Sequence, residues 1–186
     1  MKTNILPAIK LTFVTLLFFS GAYTLLIFGV AQLAPNNGRG EMVVAGGKRY
    51  YANIGQSFTQ DKYFNSRPSA VDYNAAGSGG SNKGPSNPEY LATVQARIDT
   101  FLLHNPGVEK REIPVELVTA SGSGLDPDIT YQSALVQVKR IASARKISEK
   151  ALEQLIQTHK EAPLLGILGP EKVNVLSLNL ALDEIK

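Results

Sequence analysis

Hydrophobic residues are distributed along this chain in two different patterns. Residues 11–34 form one uncharged, largely apolar run, whereas later apolar residues recur at short helical or strand-like intervals. A helix of about 24 residues, at ~1.5 Å per residue, is long enough to cross the ~30 Å hydrocarbon core of a bilayer. The run therefore predicts a transmembrane helix from Leu11 to Ala34, between a short N-terminal segment, 1–10, and one soluble domain, 35–186.

A cleavable signal peptide is the competing interpretation of this run. The apolar core of a signal peptide is usually only about 7–15 residues long, and Pro35 directly follows the best cleavage site. An uncleaved anchor fits better. The short basic N-terminus, with Lys10 next to the span, favours export of the C-terminal domain, although the number of basic residues on each side does not settle the orientation.

Helical periodicity recurs in the soluble part. One helix is predicted to begin at Pro88, with Ser86 or Asn87 as its cap and Glu89 at capping-box spacing, and to end at 105–107. A second is predicted over Ile129 to Arg145, and a third from a Ser148 cap to about His159. Their expected inward residues are Leu91, Val94, Ile98, Phe101 and Leu102, then Leu135, Val138, Ile141 and Ala142, then Leu152, Leu155 and Ile156.

Strand-like alternation occupies the remaining apolar stretches. It predicts strands over Ile113 to Thr119 and Val173 to Leu182, and a short strand or hairpin around Met42 to Val44. Helical segments outnumber strands. The expected fold class is therefore α+β, or a small α/β layer, behind one N-terminal transmembrane helix.

A long stretch from Arg67 to Pro88 is dominated by Gly, Pro, Ser and Asn, a composition that forbids a regular element. A mobile surface loop is one interpretation. An ordered loop, anchored by Tyr63, Phe64 and Tyr73, is the other, and ordered loops of this length are usually functional.

Composition excludes several functions. The chain has no cysteine, which rules out disulfides, thiolate catalysis and cysteine-bound metal. The chain has 19 Lys and Arg, of which Lys2 and Lys10 precede the apolar run. The other 17 nearly balance the 16 Asp and Glu, all of which follow the run. A balance of this kind does not indicate a nucleic-acid partner.

The candidate chemical motifs are weak. Residues 77–84 are rich in glycine, but Lys83 precedes the last glycine and the helix begins later, unlike a P-loop. Residues 121–124 lack the spacing of a nucleophile elbow. His104 and His159 close helices, and Asp126 and Asp128 precede one, which suits helix-end roles. Arg67 is expected either to pair within the domain or to contact a partner subunit. The sequence thus predicts a chain that is not an enzyme by itself.

Irregular motifs spread over nearly the whole chain nevertheless resemble one family, the C subunit of the Kdp potassium-transporting P-type ATPase. Lys146 and Lys172 depart from it, where glycine and arginine are expected. The motifs that carry the resemblance are Tyr63-Phe64, Arg67-Pro68-Ser69-Ala70, Tyr73-Asn74, Ser78-Gly79-Gly80-Ser81-Asn82, Gly84-Pro85-Ser86-Asn87-Pro88, Ser121-Gly122-Ser123-Gly124-Leu125-Asp126-Pro127, residues 137–145, Val173-Asn174-Val175-Leu176 and Leu178-Asn179-Leu180-Ala181-Leu182-Asp183.

The resemblance implies an accessory subunit of a bacterial potassium-uptake complex, single-pass in the cytoplasmic (inner) membrane, with its C-terminal domain outside the cytoplasm. The implied partners are a channel-like potassium-translocating subunit, a P-type ATPase subunit and a small single-span subunit. No cofactor of its own is implied, although ATP is possible through the partner subunit. The implied interface residues are Arg67, Ser69, Asn74, Asn82, Asn87 and Asp126.

The resemblance leaves two roles open. In one, the chain stabilises the assembly or acts as a catalytic chaperone that raises the ATP affinity of the ATPase subunit, with a nucleotide contact through Ser78, Gly79, Gly80, Ser81 and Asn82. In the other, it is a structural cap on the extracellular mouth of the translocating subunit, without nucleotide. A domain outside the membrane meets little ATP, so the side on which the domain lies decides between them.

Overall fold

The computed structural model describes residues 4–163 and 165–185, which divide into two compact units, Met1–Met42 and Val43–Lys186. The predicted segments 1–10 and 35–186 include residues 1–3, 164 and 186, which lie outside the described part.

The first unit is dominated by one continuous apolar helix, which is followed by a short 3-10 turn at Pro35–Gly38. The helix consists of α1 (Ile5–Leu16), a π-helical stretch (Leu17–Tyr23) and α2 (Thr24–Ala31), and it is long and apolar enough to cross a membrane. A long apolar helix is thus present where the span is predicted, with both ends shifted towards the N-terminus; that it crosses a membrane stays a prediction. The helix ends before Ala34, whose extended ψ of 156° is the conformation that a following proline imposes.

Hydroxyl groups inside this helix bond to its own backbone. Thr15 Oγ1 donates to the Leu11 carbonyl at 2.9 Å, and Thr24 Oγ1 donates to the Phe19 carbonyl at 3.0 Å. The second bond reaches back five residues, which matches the wider turn of the π-helical stretch. Each hydroxyl is thereby satisfied in a segment where lipid would offer no partner.

The second unit combines a hairpin, a three-stranded sheet and a group of helices. The hairpin consists of β1 (Met42–Ala45) and β2 (Lys48–Tyr51), which confirms the strand predicted around Met42. The remaining elements are α3 (Pro88–His104), β3 (Asp128–Thr130), α4 (Tyr131–Leu135), α5 (Val138–Arg145), α6 (Glu149–Thr158), β4 (Lys160–Glu161), β5 (Lys172–Asn174) and α7 (Val175–Glu184).

Antiparallel pairing places β5 between β3 and β4, with Val173 opposite both Ile129 and Lys160. Helix α6 packs against α4, α5 and α7. The core residues with no more than 2 % exposure that lie between these helices and the sheet are Phe64, Ile129, Ala134, Ile141, Leu152, Ile156, Val173, Val175, Leu178 and Leu182. The α+β fold class is confirmed.

Helices α3 and α6 confirm two predicted helices, including their caps. Asn87 Oδ1 accepts the Tyr90 N–H at 2.9 Å, and Ser148 Oγ accepts the Ala151 N–H at 3.3 Å. Glu89, predicted to complete a capping box with Ser86, instead pairs with Lys83 at 2.6 Å.

The strand predicted over Ile113 to Thr119 is wrong. The chain forms short 3-10 turns at Lys110–Glu112 and Val115–Leu117. Pro114 has no N–H to give to a sheet, and its carbonyl accepts the Leu117 N–H at 3.0 Å. Leu117 and Val118 are both buried, although successive strand residues would face opposite sides.

The strand predicted over Val173 to Leu182 is mostly wrong as well. Strand β5 ends at Asn174, whose Oδ1 accepts the Ser177 N–H at 3.0 Å and so caps helix α7. The leucines at even positions suggested alternation, but the residues that are buried follow a helical period. They are Val175, Leu176, Leu178, Asn179 and Leu182.

The helix predicted over Ile129 to Arg145 is correct in part. Ile129 lies in strand β3, and the helical stretch divides into α4 and α5 around Gln137. Thr130, rather than an earlier residue, caps α4 by accepting the Ser133 N–H at 3.2 Å.

Candidate functional site

Two irregular segments, 67–82 and 121–126, lie against each other and are called here the loop pair. Ser69 organises the first: its Oγ donates to the Gly124 carbonyl at 2.7 Å and accepts the Val71 and Tyr73 N–H groups at 3.1 and 2.9 Å. One hydroxyl therefore fixes a turn and joins it to the second segment. The loop has a defined conformation, as the ordered interpretation predicts.

The glycine-rich part of the loop pair is joined by backbone bonds. The Gly79 N–H and the Ser78 hydroxyl both donate to the Ser123 carbonyl, at 2.8 and 3.1 Å, and the Gly77 N–H donates to the Asn74 carbonyl at 3.0 Å. An anion cradle needs free N–H groups that converge. Here two of these N–H groups are already donated within the protein.

Glycine is required where the two segments touch. Gly124 has φ +67°, and a Cβ there would lie 2.6 Å from a Val71 methyl and 2.8 Å from the Gly79 carbonyl oxygen. A Cβ on Gly80 would lie 3.0 Å from the Gly122 carbonyl oxygen. The glycines of both segments thus permit close backbone packing.

Arg67 pairs within the domain. Its guanidinium lies 2.7 Å from Asp126 Oδ2, while Asp126 Oδ1 accepts the Asp128 N–H at 3.1 Å. The Tyr73 hydroxyl donates to the Arg67 carbonyl at 2.6 Å, and burial raises the pKa of Tyr73 above its ordinary value. Among the described residues, Arg67 Nε is buried without a hydrogen-bond partner.

The structure brings together some of the predicted site residues and separates others. Arg67, Ser69 and Asp126 belong to one network in the loop pair. Asn74 shapes the next turn, where its Oδ1 accepts the Ala76 N–H at 3.0 Å. Asn82 is exposed with φ +52°, and Asn87 caps α3. The nucleotide contact at residues 78–82 and the interface role of all these residues stay predictions.

A second polar group, which the sequence patterns did not reveal, holds residues 60–66. Asn179, 1 % exposed, accepts the Phe64 N–H and donates to the Phe64 carbonyl, both at 2.9 Å. Gln137, fully buried, accepts the Asn65 N–H at 2.8 Å. Side chains thus supply the backbone bonds that a neighbouring strand would otherwise make. We call Gln137, Arg140 and Asn179 the polar clamp.

Arg140 completes the polar clamp. Its side chain is 3 % exposed and donates to the Tyr63 carbonyl at 3.0 Å and to Gln137 Oε1 at 2.6 Å. It also donates to the Asp61 carbonyl at 2.5 Å and to Asn105 Oδ1 at 3.1 Å. Desolvation by burial lowers the pKa of Arg140 to about 10. The guanidinium is charged at neutral pH, and carbonyl oxygens stabilise that charge.

The histidines occupy helix ends, as predicted. His104 Nδ1 lies 2.8 Å from Asp61 Oδ1, and His159 Nδ1 lies 2.9 Å from the Leu155 carbonyl. Within residues 4–163 and 165–185, no hydroxyl bonds to either ring, and no group of three or more His, Asp or Glu could hold a metal ion.

A cleft of the soluble unit lies beside the C-terminal part of α3. It encloses about 570 Å³ between that helix and residues 58–68, and Tyr73, Ala96 and Phe101 contribute to its walls. Two of its polar residues are paired within the protein: Asp61 with His104, and Ser66, whose Oγ donates to the Gln56 carbonyl at 2.6 Å. The arrangement as a whole positions a loop rather than assembling reactive groups.

Comparison with known proteins gives one consistent result. A family model described as KdpC, the c chain of K+-transporting ATPase, matches residues 5–184. A potassium-transporting ATPase KdpC subunit of Flavobacterium psychrophilum is 55% identical over 184 residues, covering 98% of this chain and 99% of that protein.

Other bacteria carry similar proteins of the same name. The KdpC subunit of Bacteroides fragilis is 55% identical over 190 residues, covering 100% of this chain and 99% of its own. That of Caldanaerobacter subterraneus is 41% identical over 189 residues, covering 100% and 98%. With the family model spanning both the apolar helix and the α+β domain, the chain belongs to the KdpC family, the c chains of K+-transporting ATPases.

Proposed function

We propose that this chain is a non-catalytic accessory subunit that stabilises a potassium-transporting ATPase complex, and that the loop pair is its docking surface. The observation that carries the proposal is the fixed conformation of segment 67–82. Ser69 and the Arg67–Asp126 ion pair hold it against 121–126 although it contains no regular element. A long loop that is ordered by its own side chains is usually a functional one.

The same geometry favours docking over direct nucleotide capture. The N–H groups of Gly77 and Gly79 donate to protein carbonyls, and Lys83 pairs with Glu89 at 2.6 Å. A phosphate bound through either of these N–H groups or through Lys83 would have to displace these bonds. We therefore propose that any effect of this chain on the ATP affinity of the ATPase subunit is indirect, and that it passes through the assembly and the membrane helix.

We further propose that the chain is single-pass in the bacterial cytoplasmic membrane, with the soluble domain outside the cytoplasm. Its direct partner would be the channel-like potassium-translocating subunit, in a complex with the P-type ATPase subunit and the small single-span subunit. The basic N-terminus next to the apolar helix supports this orientation.

A cysteine at one exposed position of the loop tests location and docking together. The natural chain has no cysteine, so Ser81→Cys introduces a unique thiol without touching the bonds of Ser69 or Gly79. Gln157→Cys, on the exposed face of α6, is the matched control. In cells that produce this chain without its partner subunits, we expect a membrane-impermeant maleimide to label both thiols from outside.

Attachment of a bulky group before assembly then separates the two sites. We expect the labelled Ser81→Cys chain to co-purify poorly with the other subunits, whereas the labelled Gln157→Cys chain should assemble normally. Equal assembly of the two would contradict docking through the loop. Labelling only after the cells are opened, or photo-crosslinking of an ATP analogue to residues 78–82, would instead favour direct nucleotide contact.

A further inference from the structure

The connection between strands β4 and β5 exposes a set of aliphatic side chains. Leu165 and Ile167 are 82% and 80% exposed, and Leu168 is 55% exposed. Together these residues are called the apolar tip. Single exposed apolar residues are ordinary on protein surfaces, but neighbouring ones in one connection between paired strands indicate an interaction site.

The backbone around the apolar tip can leave water at modest cost. Pro163 and Pro170 have no N–H group to desolvate, and the Gly166 N–H already donates to the Pro163 carbonyl at 2.8 Å. The chain turns there through left-handed residues, including Leu165 at φ +56°. A leucine in that conformation is uncommon, because its Cβ crowds the backbone. The turn presents its aliphatic side chains outwards instead of burying them.

Charge is absent from the apolar tip and neutralised at its base. No residue in 162–170 is ionisable. At the base, Lys160 pairs with Glu171 at 2.9 Å, and Lys172 pairs with Asp128 at 2.6 Å and with Glu161 at 3.3 Å. Such a hairpin would attract an apolar phase by burial rather than a charged surface by electrostatics.

We infer that the apolar tip inserts into the interfacial region of the lipid bilayer, as a second and shallow membrane contact of the soluble unit. Three aliphatic side chains offer much less than the ~800 Å² per partner of a stable protein interface, and such interfaces draw their affinity from Trp, Tyr and Arg. A chain already anchored by a spanning helix needs only a weak additional contact, because the tether keeps the local lipid concentration high.

The chain is long enough to allow this contact. Residues 32–42 separate the end of the apolar helix from the soluble unit, and fully extended they would reach at most ~40 Å. The hairpin β1–β2 then returns the chain to Ala52, whose carbonyl accepts a bond from Asn174 at 2.8 Å. From Asn174 back to Leu168 the chain spans at most ~20 Å. These chain lengths therefore permit the apolar tip to reach the bilayer in which the apolar helix is anchored.

Lipid-attached quenchers test the insertion in the full-length chain. Ile167→Cys, the only thiol in the protein, would carry an environment-sensitive fluorophore, with Gln157→Cys as the control. The labelled chains are reconstituted in phosphatidylcholine vesicles. We expect the Ile167→Cys probe to shift to the blue, to lose most of its fluorescence with nitroxide-labelled lipid, and to resist aqueous iodide. The probe at Gln157→Cys should show no blue shift, keep its fluorescence with nitroxide-labelled lipid and be quenched by iodide.

Two further arms make the result specific. Adding Leu165→Asp and Leu168→Asp should restore iodide access to the Ile167→Cys probe, because a charged tip would remain in water. Replacing part of the phosphatidylcholine with anionic phosphatidylglycerol should leave the blue shift and the quenching of the Ile167→Cys probe unchanged if apolar burial alone drives insertion. The inference does not depend on the docking role proposed above.

Either of two outcomes would overturn the inference. The first is a probe at Ile167→Cys that iodide reaches and lipid nitroxide does not, both in the chain alone and in the assembled complex. The second is a probe that becomes shielded only in the complex and without lipid quenching. That result would assign the apolar tip to a protein partner.

Discussion

The polar clamp makes its clearest prediction at Asn179. The Asn179→Asp variant keeps the shape of the side chain and the oxygen that accepts the Phe64 N–H, but it loses the amide group that donates to the Phe64 carbonyl at 2.9 Å. At neutral pH an ionised oxygen would then face that carbonyl in a fully buried position. The substitution therefore replaces a hydrogen bond with a repulsion.

The expected loss of stability is large for the replacement of one amide nitrogen by an oxygen. Leaving the Phe64 carbonyl without a donor costs about 1–3 kcal/mol, and burying an unpaired charge adds to this cost until the carboxyl takes up a proton. We expect Asn179→Asp to lower the free energy of unfolding by about 3–5 kcal/mol at pH 7. Asn82→Asp makes the same chemical change at an exposed position, and surface changes of this kind usually stay within about 0.5 kcal/mol.

Acidification should partly reverse the loss. A protonated carboxyl can again donate to the Phe64 carbonyl, so the pKa of the introduced group is raised in the folded state. The hydrogen bond of the protonated carboxyl contributes its full stability below the pKa of about 3.9 that the carboxyl has in the unfolded chain. This stability is lost as the pH rises through the higher pKa of the carboxyl in the folded chain. The stability difference between Asn179→Asp and the natural chain should therefore narrow as the pH falls from neutral towards that value.

Urea denaturation of the full chain in mild detergent measures both effects. Seven tyrosines and no tryptophan make the near-ultraviolet circular dichroism of the tyrosines a suitable signal. A variant as stable as the natural chain at pH 7, or a deficit that does not narrow on acidification, would refute the clamp.

Three further predictions concern the backbone and the pH range. Lys146 ends α5 with φ +59°, so Lys146→Gly should raise the free energy of unfolding by about 1 kcal/mol in the same assay. Gly124→Ala, whose Cβ would lie 2.6 Å from Val71, should lower the free energy of unfolding by more than about 1 kcal/mol and speed proteolysis within 67–88. Gly84→Ala, whose Cβ would have no atom within 4 Å, should change neither the stability nor the rate of proteolysis. Burial raises the pKa of the Tyr73 hydroxyl above its ordinary 10.0, so the stability that the neutral hydroxyl contributes is complete below pH 10.0 and is lost as the pH rises through the raised pKa. In denaturation series above pH 10.0, the stability of Tyr73→Phe should therefore fall less steeply than that of the natural chain.

Local signals in the sequence were sufficient to predict those elements whose structure depends mainly on their own residues. The uncharged run fixes the spanning helix, and the caps at Asn87 and Ser148 fix the starts of α3 and α6. Lys146 is an instructive case. The resemblance indicated glycine at that position, and the structure explains why, since the C-cap of α5 is left-handed.

The missed features depend on distant partners. Leucines at alternate positions in 176–182 fit a strand as well as a helix, and only the packing of α7 selects the helical period. The polar clamp gives no periodic signal. Asn179 is 115 residues from Phe64, and Gln137 is 72 residues from Asn65, so nothing near either side chain shows what it will bind. Apolar patterning predicts where a core lies, but it does not predict which polar groups enter that core.

The polar clamp and the loop pair are consecutive along the chain, and this continuity links stability to the proposed docking role. Phe64 is fully buried and held by Asn179, and Arg67 begins the loop only a few residues later. The loop is therefore ordered from a fixed end, which lowers the conformational entropy that docking must overcome. Weakening the clamp should loosen the loop before the helices unfold. Asn179→Asp is accordingly expected to reduce co-purification with partner subunits under conditions where far-ultraviolet circular dichroism still reports full helix content. Unchanged assembly of that variant, at a measured loss of stability, would separate the clamp from the docking surface.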